Sequence, residues 1–271
     1  MLAFGATFPS PTYPAWGIAI ERGYRQLARY QQELSCLERL LMAQTLIKAK
    51  LLNSRVILQR QQRRQSNLHL NDTIEQIAYL ANQVDHADNI DRLLGLEGAG
   101  ANLYFAAFGN CLRHPDFTFT GRSRRPPGNP VNAMLSFGYQ VLWNHLLTLI
   151  ELQDLDPYQG CLHQGSYRHA ALVSDLLEQF RAPIVDALVL QTINNGELDA
   201  QTDFEYRDGG CYLAESGRRK WLRAFVQRME APMQTTDSLP QPSWDILNQQ
   251  VKAYKLFVYN PVQGYAPYRI R

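Results

Sequence analysis

GYRQLARYQQELSCLERLLMAQTLIKAKLLNSRVILQRQQRRQ, residues 23–65, repeats apolar side chains three and four positions apart and contains no proline. That spacing lays an apolar stripe along a helix, so the run predicts one long amphipathic helix and a mainly α fold. SNLHLND at 66–72 interrupts it, and Asn71 or Asp72 is placed to cap a second helix over 73–87. A third is expected from near Asn89 past Glu97 toward Asn110. The stretch 113–132 carries four prolines and reads as a loop between two helical halves. Residues 131–153 form a mostly apolar helix suited to the core, and 154–166 a second loop. The helix that begins near 168 is expected to continue through 182–196 with a bend near Pro183. DFEYRDGGCYL, 203–213, predicts a hairpin turning at Asp208–Gly209–Gly210. A basic helix follows over 216–230, and Ser243 is placed to cap a last helix from Trp244 to about Val258. Ahead of all these, residues 1–22 read as loop plus one short strand, WGIAI at 16–20.

The chain has 271 residues, 45% of them hydrophobic, enough to bury a core in one or two domains. Its N-terminus has no basic region followed by an apolar run, which argues against a signal peptide. No stretch reaches the roughly 18–20 apolar residues that span a bilayer. Cys36, Cys111, Cys161 and Cys211 stand far apart with no C-x-x-C pair. That excludes a zinc knuckle or a secreted disulfide scaffold and predicts reduced thiols in a cytoplasm.

The formal net charge is only +2, but charge is segregated. Lys48, Lys50, Arg55, Arg60, Arg63 and Arg64 fall within 48–64 without an acid, whereas 72–97 holds Asp72, Glu75, Asp85, Asp88, Asp91 and Glu97 against Arg92 alone. Basic clusters recur at Arg122, Arg124 and Arg125 and at Arg218, Arg219, Lys220 and Arg223. Patches of this kind suit phosphate backbones.

HQGSYRHAALVSDLLEQFR, 163–181, sets a histidine ahead of a helix with Leu172, Val173, Leu176, Leu177 and Phe180 on one stripe. At about 100° per residue, Asp175 and Glu178 fall on the other side. The wheel therefore predicts both carboxylates pointing away from the core, as a solvated helix face or as half of a metal site. His145 reads as a core histidine, and His69, His86 and His114 as surface or loop residues. No Glu-x-x-His occurs, which excludes a di-metal helical bundle of the paired-motif kind.

Three stretches belong together: LLGLEGAGANLYF at 93–105, GRSRRPPGNPVNAMLSFGYQVLWN at 121–144, and LDPYQGCLHQGSYRHAALVSDLLEQFRAPIVD at 155–186. With IKAKLLNSRVILQR at 47–60 and DFEYRDGGCYLAESGRRKWLRAFVQRME at 203–230, they resemble the universal DNA integrase and endonuclease family of CRISPR adaptation. The resemblance runs from about residue 25 onward. It implies metal ligands at Glu97, His163 and Glu178, which are also the catalytic residues, with Asp175 supporting or sharing the ion. Two carboxylates and an imidazole with open positions suit Mg2+ or Mn2+. The implied activity is insertion of new spacers into a CRISPR array, an antiviral function, by transesterification at the repeat, or DNA cleavage when water is the nucleophile.

Phosphate contacts are expected from Lys50, Arg55, Arg122, Arg124, Arg125, Arg219 and Lys220, and Asn53 and Asn132 sit in family-like motifs. The implied partners are double-stranded DNA (incoming fragment and repeat), a small ferredoxin-like adaptation protein and a second copy of the chain, in a prokaryotic cytoplasm. The implied fold is an α-helical catalytic domain over 23–271 with one small β-hairpin, preceded by a short remnant, 1–22, of the family's N-terminal β-domain. The alternative is a non-catalytic, truncated DNA-binding or assembly protein of the same complex.

Overall fold

A computed structural model describes residues 16–163, 169–233 and 240–270. The long helical run is two helices, α1 (Trp16–Glu33) and α2 (Cys36–Arg64). Ser35 breaks it with an extended backbone (ψ 160°) and a capping box. Its Oγ accepts from the Glu38 amide at 3.2 Å, and Glu38 Oε2 accepts from the Ser35 amide at 2.7 Å. WGIAI is not a strand but the opening of α1. Extending a helix gains a backbone hydrogen bond per residue, whereas the strand preference of Ile18 and Ile20 is weak without a partner strand. None pairs with it among the described residues. The rest of the expected β remnant, 1–15, lies outside the described residues.

Next come α3 (Asn71–Gln83), a 3-10 turn at Val84–His86, α4 (Ile90–Asn110) and α5 (Pro130–Leu152). Neither Asn71 nor Asp72 caps α3. Gln62 of α2 does this work, its Oε1 accepting from the Leu70 amide at 2.8 Å while its Nε2 donates to Asn71 Oδ1 at 2.7 Å. Asn89 caps α4 and Asn129 caps α5. Asn132 is buried, and pins the proline loop by donating to Gly121 O and accepting from Arg122 and the Ser123 amide.

The second half contains α6 (Ala171–Leu177), a π turn at Arg181–Asp186, α7 (Ala187–Asn194), the hairpin β1 (Phe204–Arg207) and β2 (Gly210–Leu213), then α8 (Glu215–Glu230) and α9 (Ser243–Tyr259). Asp208 and Gly209, both at positive φ, form the hairpin turn. A two-residue bridge, β3 (Pro232–Met233) with β4 (Gln241–Pro242), precedes α9. Ser243 is the first residue of α9 rather than its cap, and its hydroxyl faces Met233 Sδ. Thus the architecture is mainly α with one small hairpin and this bridge. One apolar core runs from Leu27 to Ile270, with α2, α5 and α6 inside it. Among the described residues no helix is long and apolar enough to cross a membrane.

Charge segregation in the sequence is partly cancelled in space. The basic α2 lies along the acidic α3–α4 pair, so Lys48 meets Asp85 and Lys50 meets Glu97.

Gly217 lets α8 press onto the chain before the hairpin, since a Cβ there would stand 2.2 Å from Asp203 O, a backbone atom that cannot swing away. Gly217→Ala is expected to destabilise by about 2–3 kcal/mol and lower the melting temperature by roughly 5–10 °C. Gly95→Ala on the exposed side of α4, with nothing within 4 Å, is expected to be neutral or slightly stabilising. Thermal denaturation followed by circular dichroism compares the two.

Candidate metal centre and nucleic-acid interface

The loop after α5 is clamped at its base before it reaches His163. Gln31 exchanges two hydrogen bonds with the Asp156 backbone, and Arg39 donates to Gly160 O at 2.9 Å. Gly160 then passes so close to α6 that a Cβ would stand 2.8 Å from Asp175 Oδ2. Asp175 gathers the loop: Oδ2 accepts from the Cys161 and Leu162 amides at 2.6 and 3.0 Å, and Oδ1 from the His163 amide at 2.9 Å. The same Oδ1 lies 2.7 Å from His163 Nδ1. A carboxylate can only accept, so the ring proton sits on Nδ1 and the Nε2 lone pair is free to bind an ion. Burial would lower the His163 pKa, but the hydrogen bond and charge of Asp175 outweigh it and raise the value.

Of the two readings of the acids, the solvated face does not hold. Asp175 is fully buried and Glu178 is 4% exposed. Every residue of α6 is buried, because the 161–163 loop and α2 cover the side that the apolar stripe leaves over. With both oxygens occupied by three amides and the imidazole, Asp175 is geometrically a support for His163 and not an open donor.

Glu97 on α4 and Glu178 just past α6 meet over Lys50 of α2. The Lys50 ammonium touches Glu97 Oε1 and lies 2.5 Å from Glu178 Oε2, which receives no well-directed hydrogen bond. Arg181 NH2 is 3.3 Å from Glu178 Oε1. Burial raises the Glu178 pKa, yet Arg181 and Lys50 overcome it and hold the carboxyl at about 2. Among the described residues no three His, Cys, Asp or Glu side chains stand close enough to hold an ion as they are. The donor set nevertheless fits one. Lys50 already places a cation between two carboxylates, and His163, oriented by Asp175, is close enough to lower the Glu178 pKa. An ion would take the place of the ammonium.

Arg181, which the sequence reading did not single out, stacks over the Tyr139 ring at 4.8 Å. Tyr139 OH donates to Asp186 Oδ1 at 2.5 Å. Burial raises the Asp186 pKa despite Tyr139 and the nearby Arg181 and Arg122. Lys50, Arg124, Tyr139 and Arg181 line one narrow cleft. The only textual signal for Arg181 is its place one helical turn after Glu178.

The expected phosphate-binding residues separate into groups. Arg122 is held by its own loop, donating to Ser123 O, Asn132 Oδ1 and Ser136 Oγ at 2.5–2.9 Å. Lys50 is committed to the two carboxylates. Arg55 has a buried Nε without a partner. Arg219 and Lys220 lie on α8 paired with Glu215 and Asp203. Arg124 and Arg125 line a cavity of about 550 Å3 together with Arg207, Arg218, Phe137 and Tyr212, and no acid among the described residues lines it. His163 opens on a groove of about 700 Å3 walled by Arg39, Ile90, Leu94 and Tyr158. His169 is exposed, its ring centroid 6.0 Å from that of His163, and His145 packs edge-on against Trp244.

The family model described as CRISPR associated protein Cas1 matches residues 15–227. A Cas4/Cas1 fusion from Geobacter sulfurreducens, named as an exonuclease and endonuclease, is 36% identical over 233 residues, 81% of this chain and 41% of that protein. A CRISPR-associated endonuclease Cas1 from Thermus thermophilus is 41% identical over 147 residues, 54% of this chain and 46% of that one. The chain therefore spans less than half the length of these two relatives. Among solved structures, a chain of a partial Cas6-RT-Cas1–Cas2 complex superposes with a TM-score of 0.78 at 26% identity, covering 93% of this chain and 74% of that chain. A Cas1 protein from Thermotoga maritima shares the fold with a TM-score of 0.74 at 22% identity, covering 86% and 70%. Since the model match takes in α1 through most of α8, including Glu97, His163 and Glu178, the chain belongs to the Cas1 family.

Proposed function

We propose that this chain is a metal-dependent DNA integrase and endonuclease that inserts DNA fragments into a CRISPR array at the repeat. The observation that carries the reading is the Lys50 ammonium seated between Glu97 and Glu178, beside an imidazole whose Nε2 is freed by Asp175. In strand transfer, a 3′-hydroxyl of the incoming fragment attacks the scissile phosphorus. One P–O bond forms, the bond to the repeat's 3′-oxygen breaks, and the proton of the attacking hydroxyl ends on the released 3′-oxygen. The phosphodiester count is conserved, so no external energy source is needed. Water in place of the hydroxyl gives hydrolysis.

Mg2+ or Mn2+ held by Glu97, His163 and Glu178 would supply Lewis-acid polarisation of the scissile phosphate. The chain itself supplies position and charge. Asp175 fixes the imidazole, Arg181 and Arg124 offer positive charge to the phosphate oxygens, and a Lys50 displaced from the carboxylates joins them. Arg125, Arg207, Arg218, Arg219 and Lys220 extend a basic surface for double-stranded DNA. The likeness to a chain of a Cas6-RT-Cas1–Cas2 complex supports a partner protein; a second copy of this chain, one for each repeat end, is part of the proposal.

The test is integration of a labelled short duplex with free 3′ ends into a supercoiled plasmid carrying a repeat, with and without Mn2+, alone and with the small partner. Transfer is expected only with metal, and His163→Ala is expected to lower it by about 10²–10³-fold with DNA binding retained. Equal transfer by His163→Ala, or transfer without metal, overturns the assignment. Absence of transfer in every arm, including a longer chain carrying an N-terminal β-domain, with DNA bound throughout, supports a non-catalytic assembly role instead.

A further inference from the structure

Glu178 stands at a break in its helix, and the break has a specific repair. Pro183 has no amide hydrogen, so the Gln179 carbonyl loses the partner four residues on that a helix would give it. Asn53, 1% exposed on α2, fills the gap by donating from Nδ2 to Gln179 O at 2.8 Å. Its second Nδ2 hydrogen goes to Tyr268 O at 3.0 Å, and Oδ1 accepts from the Ile270 amide at 3.0 Å. Gln179, also buried, holds the same segment from the other side. Its Oε1 accepts from the Tyr268 amide at 2.6 Å, and its Nε2 donates to Tyr265 OH at 2.8 Å. The Tyr268 ring stacks on Phe180 with centroids 5.5 Å apart. Tyr265 is fastened in turn to Gln250 of α9.

Two carboxamides thus bind the segment 265–270 as a paired strand would, directly beside Glu178 and one helical turn from Lys50. Such a network is in excess of what apolar packing needs. Buried amides are favourable only when fully bonded, and here every polar atom of both side chains has a partner.

We propose that Asn53, Gln179 and the segment Tyr265–Ile270 form a buried strap that repairs the break at Pro183 and thereby positions Glu178 to hold a divalent cation with Glu97 and His163. Asn53 and Gln179 are positioning residues, since neither reaches the ion. The inference rests on the metal-dependent reading above, and the experiment separates the two. Mn2+ is titrated into the full chain, free ion being followed by electron paramagnetic resonance well below the melting temperature, with circular dichroism to verify folding.

Asn53→Ala is expected to weaken Mn2+ binding by about 10–100-fold, as removal of a ligand's support does. Pro183→Ala restores an amide hydrogen opposite Gln179 O. The double variant Asn53→Ala/Pro183→Ala is therefore expected to recover most of the lost affinity, which a general loss of stability would not do. Ile270→Pro removes the amide that donates to Asn53 Oδ1 together with a buried apolar side chain, so it is compared with Ile270→Ala, which keeps the amide; binding several-fold weaker in Ile270→Pro than in Ile270→Ala is expected and carries the test if Asn53→Ala does not fold. Wild-type affinity in folded Asn53→Ala, or equal affinity in Ile270→Pro and Ile270→Ala, overturns the strap's positioning role, and failure of the double variant to recover overturns its action through the Gln179 carbonyl. If the wild type binds no Mn2+, or binds it as well as His163→Ala does, the metal reading itself falls.

Discussion

Replacing Asp175 with alanine is expected to destabilise the protein by about 3–5 kcal/mol, more than any other single change around the site. Three backbone amides and the His163 ring converge on this one buried carboxylate. Alanine would remove the acceptor from all of them at once. Asp175→Asn keeps the shape and one acceptor oxygen, but its NH2 must face an amide donor, so an intermediate loss is expected. Folded Asp175→Asn tests the coupling to His163. In the wild type Asp175 raises the His163 pKa against the effect of burial. Because the folded-state value is raised, the pair contributes stability that is full below the unfolded histidine value of about 6.5 and is lost as pH rises through the folded value. In Asp175→Asn only the charge of Glu178 still opposes burial, so the raised value falls. Urea unfolding across that window, with His163 followed by NMR, should show the dependence flatten or invert. An unchanged His163 titration would mean that Asp175 does not set the ring's proton.

These effects show which parts of the site a sequence can carry. The helical periodicity of 23–65 is local, so the mainly α architecture could be read from it. The break at Ser35 was equally local, written as Ser35-x-x-Glu38, but a count of apolar positions runs straight through a capping box. The acids on α6 are a different matter. A helical wheel assigns one face to the core and one to water, and it has no term for a helix covered on both sides. Asp175 is buried because the loop that delivers His163 folds back over it, a contact between segments that no periodicity encodes. The ligand-type residues Glu97, His163 and Glu178 were legible through motif resemblance. Lys50 was legible only as one cation in a basic run, because its two carboxylate partners come from distant parts of the chain.

Lys50→Met is therefore expected to do something that loss of a phosphate contact would not. Methionine nearly matches the side chain's length and removes the ammonium, leaving Glu178 buried with Arg181 alone and Glu97 without its partner. The metal-free protein is expected to lose about 2–3 kcal/mol, below the usual range for breaking a buried pair because Arg181 stays. The pH dependence follows from Glu178. Its folded-state pKa is depressed to about 2, so its contribution to stability is present above the unfolded value near 4.3 and lost as pH falls toward 2. Without Lys50 the folded-state value rises and the contribution shrinks. Mn2+ should reverse the loss. In the wild type the ion must displace an ammonium, whereas in Lys50→Met it meets Glu97 without a partner and Glu178 balanced by Arg181. Affinity for Mn2+ should then rise while metal-free stability falls, and the increase in melting temperature on adding Mn2+ should be larger in the variant than in the wild type. If Lys50 serves DNA phosphates alone, Mn2+ affinity stays unchanged, and the variant instead binds DNA more weakly with a salt-dependence slope reduced by about one. The Mn2+ affinity separates the two, because an ammonium that competes with the ion for Glu97 and Glu178 cannot be removed without changing what the ion encounters there.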